Sequence, residues 1–255
     1  MGYETIQVHC GPRLTTIVLN RPPLNIINLQ MMDELNAAWD EVEAMGSQVI
    51  VLSGAGERAF SAGVDVADHA PERVTAMLSK FHRLIRRIFE SDRITIAAIH
   101  GHTLGGGAEL AMICDFVLAA DDAKIGQPEI SLACYPPVAA AYLPRAIGFH
   151  RASQLVLLGE SISAEEAERI GIVTEVVPSQ EMNKCVDDYI DRLLTKSSAA
   201  VALAKKALRE GLEHRFETAL NRTERIYLDD LSRTEDMQEG VKAFLEKRPP
   251  NWKNR

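Results

Sequence analysis

The chain has 255 residues, 46% of them hydrophobic and 25% charged, with a formal net charge of −8. This is ordinary globular composition, with room for one large core and a smaller second lobe. The acidic balance argues against a nucleic-acid partner, which needs concentrated positive charge, and no apolar run reaches the roughly 20 residues that span a bilayer.

Residues 15–20 form a β-branched run stopped by Arg21-Pro22-Pro23, and read as a strand. Met32, Leu35, Trp39 and Val42 recur at helical spacing, with Asn28 as the N-cap candidate. Residues 49–54 read as a buried strand. Val74, Met77, Leu78, Phe81, Leu84, Ile85 and Ile88 mark a long amphipathic helix. A second buried strand at 94–99 leads into a glycine run, followed by a helix over 108–114 and a strand over 116–120. Ser163 and Glu166 match a capping box, Gly171 ends that helix, and 173–177 is the last strand. From about Gln180 the pattern is helical, through Tyr189, Ile190, Leu193, Leu203, Ala207, Leu208, Phe216, Leu220 and Tyr227 to a last helix with Val241, Phe244 and Leu245. Alternating strands and helices predict an α/β core over residues 1–190. The remainder, 191–255, predicts a helical lobe. No sequence repeat stands out.

The cysteines at 10, 114, 134 and 185 have no CxxC spacing and read as reduced thiols, not zinc ligands. His100 and His102 lack further ligands nearby, so no metal is expected. The N-terminus shows no basic stretch followed by an apolar one, and the expected location is cytoplasmic.

Gly105-Gly106-Gly107-Ala108-Glu109 opens a helical pattern. A tight turn explains the glycines, and on their own they favour that reading. The spacing does not match a dinucleotide fingerprint, and no Gly-Lys-Ser/Thr follows to make a phosphate-binding loop. The third reading is an oxyanion site, where glycines let a carbonyl approach free N–H groups at a helix start. Glu109 in the first helical turn also suits the helix dipole. Glu129, in Gln127-Pro128-Glu129, reads locally as a surface turn. Ser61-Ala62-Gly63-Val64-Asp65-Val66 is a second small-residue segment open to a ligand or to a plain turn.

Taken together in this order, Phe60-Ser61-Ala62-Gly63-Val64-Asp65, Gly105-Gly106-Gly107-Ala108-Glu109 and Gln127-Pro128-Glu129 strongly resemble the crotonase (enoyl-CoA hydratase/isomerase) superfamily. Asn20-Arg21-Pro22 and Ala243-Phe244-Leu245-Glu246-Lys247-Arg248 look like it too. The resemblance implies a crotonase-like spiral of ββα units with a C-terminal helical oligomerisation lobe, assembled as a homo-trimer or a hexamer. It implies an acyl-CoA thioester substrate and no cofactor, since CoA is part of the substrate. By motif position, Glu109 and Glu129 are the catalytic pair, and the N–H groups of Val64 and Gly106 form the oxyanion hole. Arg21, Leu24, Ser61, Ala62, Gly63, Asp65, Val66, Gly105, Pro128, Tyr135, Phe244 and Lys247 are the expected substrate contacts. His69 either faces the acyl pocket or lies on the surface. Keeping both glutamates favours hydration over other chemistry of the family.

One segment departs from the family. Where hydratases usually carry a glycine-rich turn after Gln-Pro-Glu, this chain has Cys134-Tyr135-Pro136-Pro137-Val138-Ala139-Ala140-Ala141-Tyr142-Leu143-Pro144. That segment, and the ending through Trp252, resemble the branch of the family that hydrates cyclohexa-1,5-diene-1-carbonyl-CoA in anaerobic benzoyl-CoA degradation. The alternatives are a general short-chain enoyl-CoA hydratase and, in another class, a non-catalytic acyl-CoA-binding scaffold.

Overall fold

The computed structural model describes residues 2–196 and 198–251, with their side chains except for some between 199 and 230. Trp252 and the side chains of Ala207 and Phe216 lie outside the described residues.

The chain opens with an antiparallel pair, β1 (Ile6–Cys10) and β2 (Leu14–Leu19). Helix α1 (Leu29–Met45) follows. The Asn28 side chain accepts the Met31 N–H at its start, and left-handed Gly46 closes it. Three strand pairs come next: β3 (Val49–Gly54) with β4 (Ala59–Ser61), β5 (Ile94–Ile99) with β6 (His102–Leu104), and β7 (Phe116–Ala120) with β8 (Lys124–Gly126). Helix α2 (Val74–Glu90) follows the first pair and α3 (Gly106–Met112) the second, while α4 (Pro137–Ala146) and α5 (Phe149–Leu158) follow the third. Then come β9 (Ser161–Ser163), α6 (Ala164–Ile170), β10 (Glu175–Val177), α7 (Met182–Leu194), α8 (Ser198–Arg225) and α9 (Glu235–Leu245).

The two strands of each pair enter different sheets. One sheet runs β1-β2-β3-β5-β7-β10, parallel from β2 onward; the other runs β4-β6-β8-β9, parallel up to β8. Each ββα unit thus adds one strand to both sheets, which is the expected spiral. The strands of the large sheet are apolar because helices cover them: Ile94–Ile99 is buried throughout. Trp39, Phe60, Phe81 and Met32 fill the main core. Helix α7 crosses residue 190 and lays Val186 and Ile190 against Val49, Ile96 and Leu118 of the large sheet.

Three local expectations shift. Helix α3 starts at Gly106, not Ala108, because the glycines themselves form its first turn. The last strand shortens to Glu175–Val177, since the N–H groups of Ile172 and Val173 close the preceding helix on the Ala167 carbonyl. Ser163 accepts the Glu166 N–H, but the Glu166 carboxylate turns to Arg169, so half of the capping box forms.

Candidate active site

Strands β4, β6 and β8 are parallel neighbours in the small sheet, and the segment bearing each motif leaves the C-terminal end of one of them. Residues 62–65 follow β4, 105–109 follow β6, and 127–129 follow β8. The sheet therefore brings together three motifs that lie tens of residues apart.

Close packing explains the glycines. A Cβ on Gly107 would sit 2.5 Å from the Ser61 carbonyl oxygen and 2.9 Å from its Oγ. Gly63 has φ +108, and a Cβ there would meet the Leu104 carbonyl oxygen at 3.1 Å and Gly106 N at 3.8 Å. Gly105 has φ +50, and any Cβ would run into the Glu129 carboxylate. The Val64 loop is held from the other side. Ile27 N donates to Gly63 O and Asp65 N to Ile27 O, both at 2.9 Å, and Val64 between them has no acceptor for its N–H among the described residues. The Gly106 N–H, in the first turn of α3, has no backbone acceptor among the described residues either. A Cβ on Gly106 would lie 3.6 Å from Val64 N, so the two free donors sit side by side.

Asn25 organises the entrance. It is fully buried, and its Nδ2 donates to the carbonyls of Ala55 and Ala59 at 2.9 and 2.8 Å while its Oδ1 accepts the Arg21 N–H at 3.0 Å. Ser61 Oγ donates to the Asn25 carbonyl at 2.8 Å and accepts the Gly63 N–H at 3.2 Å. Ser61 is thus buried beneath the loop.

A cavity of about 850 Å³ opens over these segments. Arg21, Leu24, Ala62, Gly63, Val64, Asp65, Val66, Gly105, Gly106, Glu109, Pro128, Glu129, Tyr135 and Phe244 line it, and so does His69. Ser61 and Lys247 do not. Phe244 reaches it from α9 of the same chain. Sequence reasoning passed over Met77, Leu78, Phe81, His82 and Tyr227 as site residues. Their helical spacing signals only a buried face, and the cavity shares that face with the core.

The two carboxylates differ in their surroundings. Glu109 is buried and accepts the Ala139 N–H at 2.9 Å. Ala139 lies in the first turn of α4, which starts at Pro137, a residue with no N–H to leave unpaired. Burial pushes the Glu109 carboxyl up to about 7, and the N–H groups of Ala139 and Val138 pull against that rise. Glu129 is half-buried, and one of its oxygens has no hydrogen-bond partner among the described residues. Burial pushes it up to about 8, helped by the charge on Glu109. Two adjacent acids cannot both ionise easily. The helix start favours the charge on Glu109, while burial and its neighbour's charge disfavour one on Glu129.

Paired N–H donors beside two coupled carboxyls, on a ββα spiral, are the arrangement of a crotonase-type hydro-lyase. The chain belongs to the enoyl-CoA hydratase/isomerase family, whose sequence profile matches residues 12–255. It is 38% identical to a probable enoyl-CoA hydratase of Rhizobium meliloti strain 1021, over 100% of both chains. It is 35% identical to a cyclohexa-1,5-dienecarbonyl-CoA hydratase of Thauera aromatica, over 95% of this chain and 93% of the relative. Among solved structures it resembles an enoyl-CoA hydratase of Mycobacterium avium subsp. paratuberculosis K-10, with a TM-score of 0.89 at 28% identity over 99% of this chain and 100% of that one.

Proposed function

We propose that the chain adds water to an α,β-unsaturated acyl-CoA thioester, and that its substrate is cyclohexa-1,5-diene-1-carbonyl-CoA, giving 6-hydroxycyclohex-1-ene-1-carbonyl-CoA. The observation that carries the hydration is the pairing of Glu109 and Glu129 in one cavity, beside the free N–H groups of Val64 and Gly106. Ionised Glu109 takes a proton from water as the water oxygen bonds to the β carbon. Negative charge builds on the thioester oxygen, where the two N–H groups stabilise it; losing one such donor typically costs about 3 kcal/mol of barrier. For a linear enoyl group, protonated Glu129 then delivers the proton beside the thioester carbon. These steps need proton transfer and an oxyanion site, and no cofactor beyond the CoA of the substrate. Arg21, Leu24 and Phe244 line the route to the thioester, and the assembly is a homo-trimer or hexamer in the cytoplasm.

The ring substrate is supported by the segment from Cys134 to Pro144 and by the likeness to the Thauera aromatica enzyme. The second reading, a general short-chain enoyl-CoA hydratase, is supported by the Rhizobium meliloti relative. Turnover of the dienoyl thioester against crotonyl-CoA separates them: the ring reading requires a higher kcat/KM for the dienoyl thioester, and a preference for crotonyl-CoA overturns it.

A further inference from the structure

The wall of the cavity built by α2 carries a polar system that the two glutamates do not use. Met77, Leu78, Phe81 and His82 line the cavity from α2. Phe81 reaches the oxyanion site, since a Cβ on Gly106 would lie 3.4 Å from its ring. His82, the next residue, is 0% exposed. Its Nδ1 faces Glu224 Oε2 at 3.4 Å, and the same oxygen accepts from Arg86 at 3.2 Å. His82 beside it, joined by the hydrogen bond from Arg86, holds the Glu224 carboxyl below its ordinary range. Neither ring nitrogen of His82 has a hydrogen-bond partner among the described residues. A buried polar nitrogen without a partner is costly in a site with no use for it. An imidazole in the wall of a substrate cavity, with a carboxylate 3.4 Å from one nitrogen, is an arrangement that moves protons.

The ring reaction needs such a group. The substrate has double bonds C1=C2 and C5=C6, with the thioester on C1. Conjugate addition puts the water oxygen on C2 and spreads negative charge over the thioester oxygen, C1 and C5. Protonation at C1 leaves an isolated C5=C6 alkene. The product named above keeps its double bond at C1, so the proton must go to C5, two bonds beyond the carbon that is protonated in a linear enoyl group. Glu129 packs against Gly105 beside the oxyanion site, where a Cβ on Gly105 would meet its carboxylate, while His82 lines the cavity from α2, next in sequence to Phe81.

We propose that His82 is the acid that protonates ring C5, with Glu224 and Arg86 as its positioning partners. This rests on the ring-diene reading. Water gives a proton to Glu109 and its oxygen bonds to C2. The C1=C2 pair moves to C1=C6, and the C5=C6 pair takes the Nε2 proton of His82. The proton on Glu109 and the one missing from His82 are reset through solvent before the next turnover.

The experiment follows dienoyl-CoA hydration in deuterated water, with the product read by NMR, for the wild-type chain, His82→Gln and Glu224→Gln. The wild-type product is expected to carry deuterium on the methylene derived from C5. His82→Gln is expected to lower kcat about 100-fold, within the usual range for loss of an acid, with KM little changed. Glu224→Gln, which leaves the imidazole in place, gives a smaller loss of the same kind, and it carries the test if His82→Gln does not fold. An effect confined to KM, a wild-type kcat in both variants, or deuterium on C1 overturns the proposal while the ring reading stands. No dienoyl turnover by the wild-type chain overturns both.

Discussion

Gly105 is the position where one methyl group tests the whole site. Its φ is +50 and its ψ −128, a conformation that an L side chain rarely adopts. Gly105→Ala adds backbone strain on the order of 1–3 kcal/mol. For a chain of this size that lowers Tm by roughly 2–4 °C per kcal/mol. The larger effect is local. The new Cβ lands on the Glu129 carboxylate, whose carbon lies 3.2 Å from the Cβ position. Either the carboxylate moves or the loop after β6 does, and each shift displaces Glu129 relative to Gly106. A misplacement of about 1 Å in a reacting group costs about 100-fold in rate. We therefore expect kcat on the preferred thioester to fall about 100-fold. Product-CoA binding by calorimetry should stay within a few-fold, because the residues lining the CoA route are untouched. A Gly105→Ala enzyme with kcat within threefold of wild type would refute the placement of Glu129 at the reacting carbons.

The remaining predictions concern the two carboxylates and the entrance. Glu109→Gln and Glu129→Gln should each lower kcat by about 100-fold or more, the usual range for loss of a positioned acid or base; full turnover by either variant removes that residue from the chemistry. The pH profile of kcat/KM should be a narrow bell. Activity falls below about 7 as Glu109 gains a proton and above about 8 as Glu129 loses one, and the two limbs are properties of the pair; a flat profile from pH 6 to 9 contradicts the assignment. Stability carries the opposite mark of the same groups. Both folded carboxyls titrate above their ordinary value, so between about pH 4.5 and 8 the folded state binds more protons than the unfolded one, and stability falls as pH rises. Glu129→Gln should thus raise Tm at pH 8, with the gain shrinking towards pH 5, as thermal melts at both pH values will show. Asn25→Ala removes two buried donors and should destabilise by about 1–3 kcal/mol, read as a lower denaturant midpoint, while raising KM through the loosened Arg21–Ile27 loop.

The long strands and the helices of the core are legible because burial on both faces writes apolar runs such as 49–54 and 94–99, and one-sided burial writes the 3.6-residue spacing of α2. The small sheet leaves no such trace. Strands β4, β6 and β8 are three residues long, and Ser61, Thr103 and Gly126 are not apolar strand markers. That sheet nevertheless assembles the site, so the motifs are visible in sequence through likeness to a family and not through periodicity. His82 stayed hidden for another reason. It falls on the buried face of an amphipathic helix, where a histidine reads as core, and its partner Glu224 is 142 positions away.

The split between the two glutamates depends on the segment that departs from the family's glycine-rich turn. With glycines there, many backbone shapes compete. Pro137 fixes its own φ and starts α4, and it has no N–H to leave unpaired in the first turn. The next two residues, Val138 and Ala139, then turn their N–H groups onto Glu109. The positive end of a ten-residue helix faces one carboxylate of a coupled pair, and the other meets burial and its neighbour's charge. In the proposed hydration the prolines therefore do more than line the cavity: by fixing where α4 begins, they favour the charge on Glu109, the base of that scheme, and leave Glu129 as its acid.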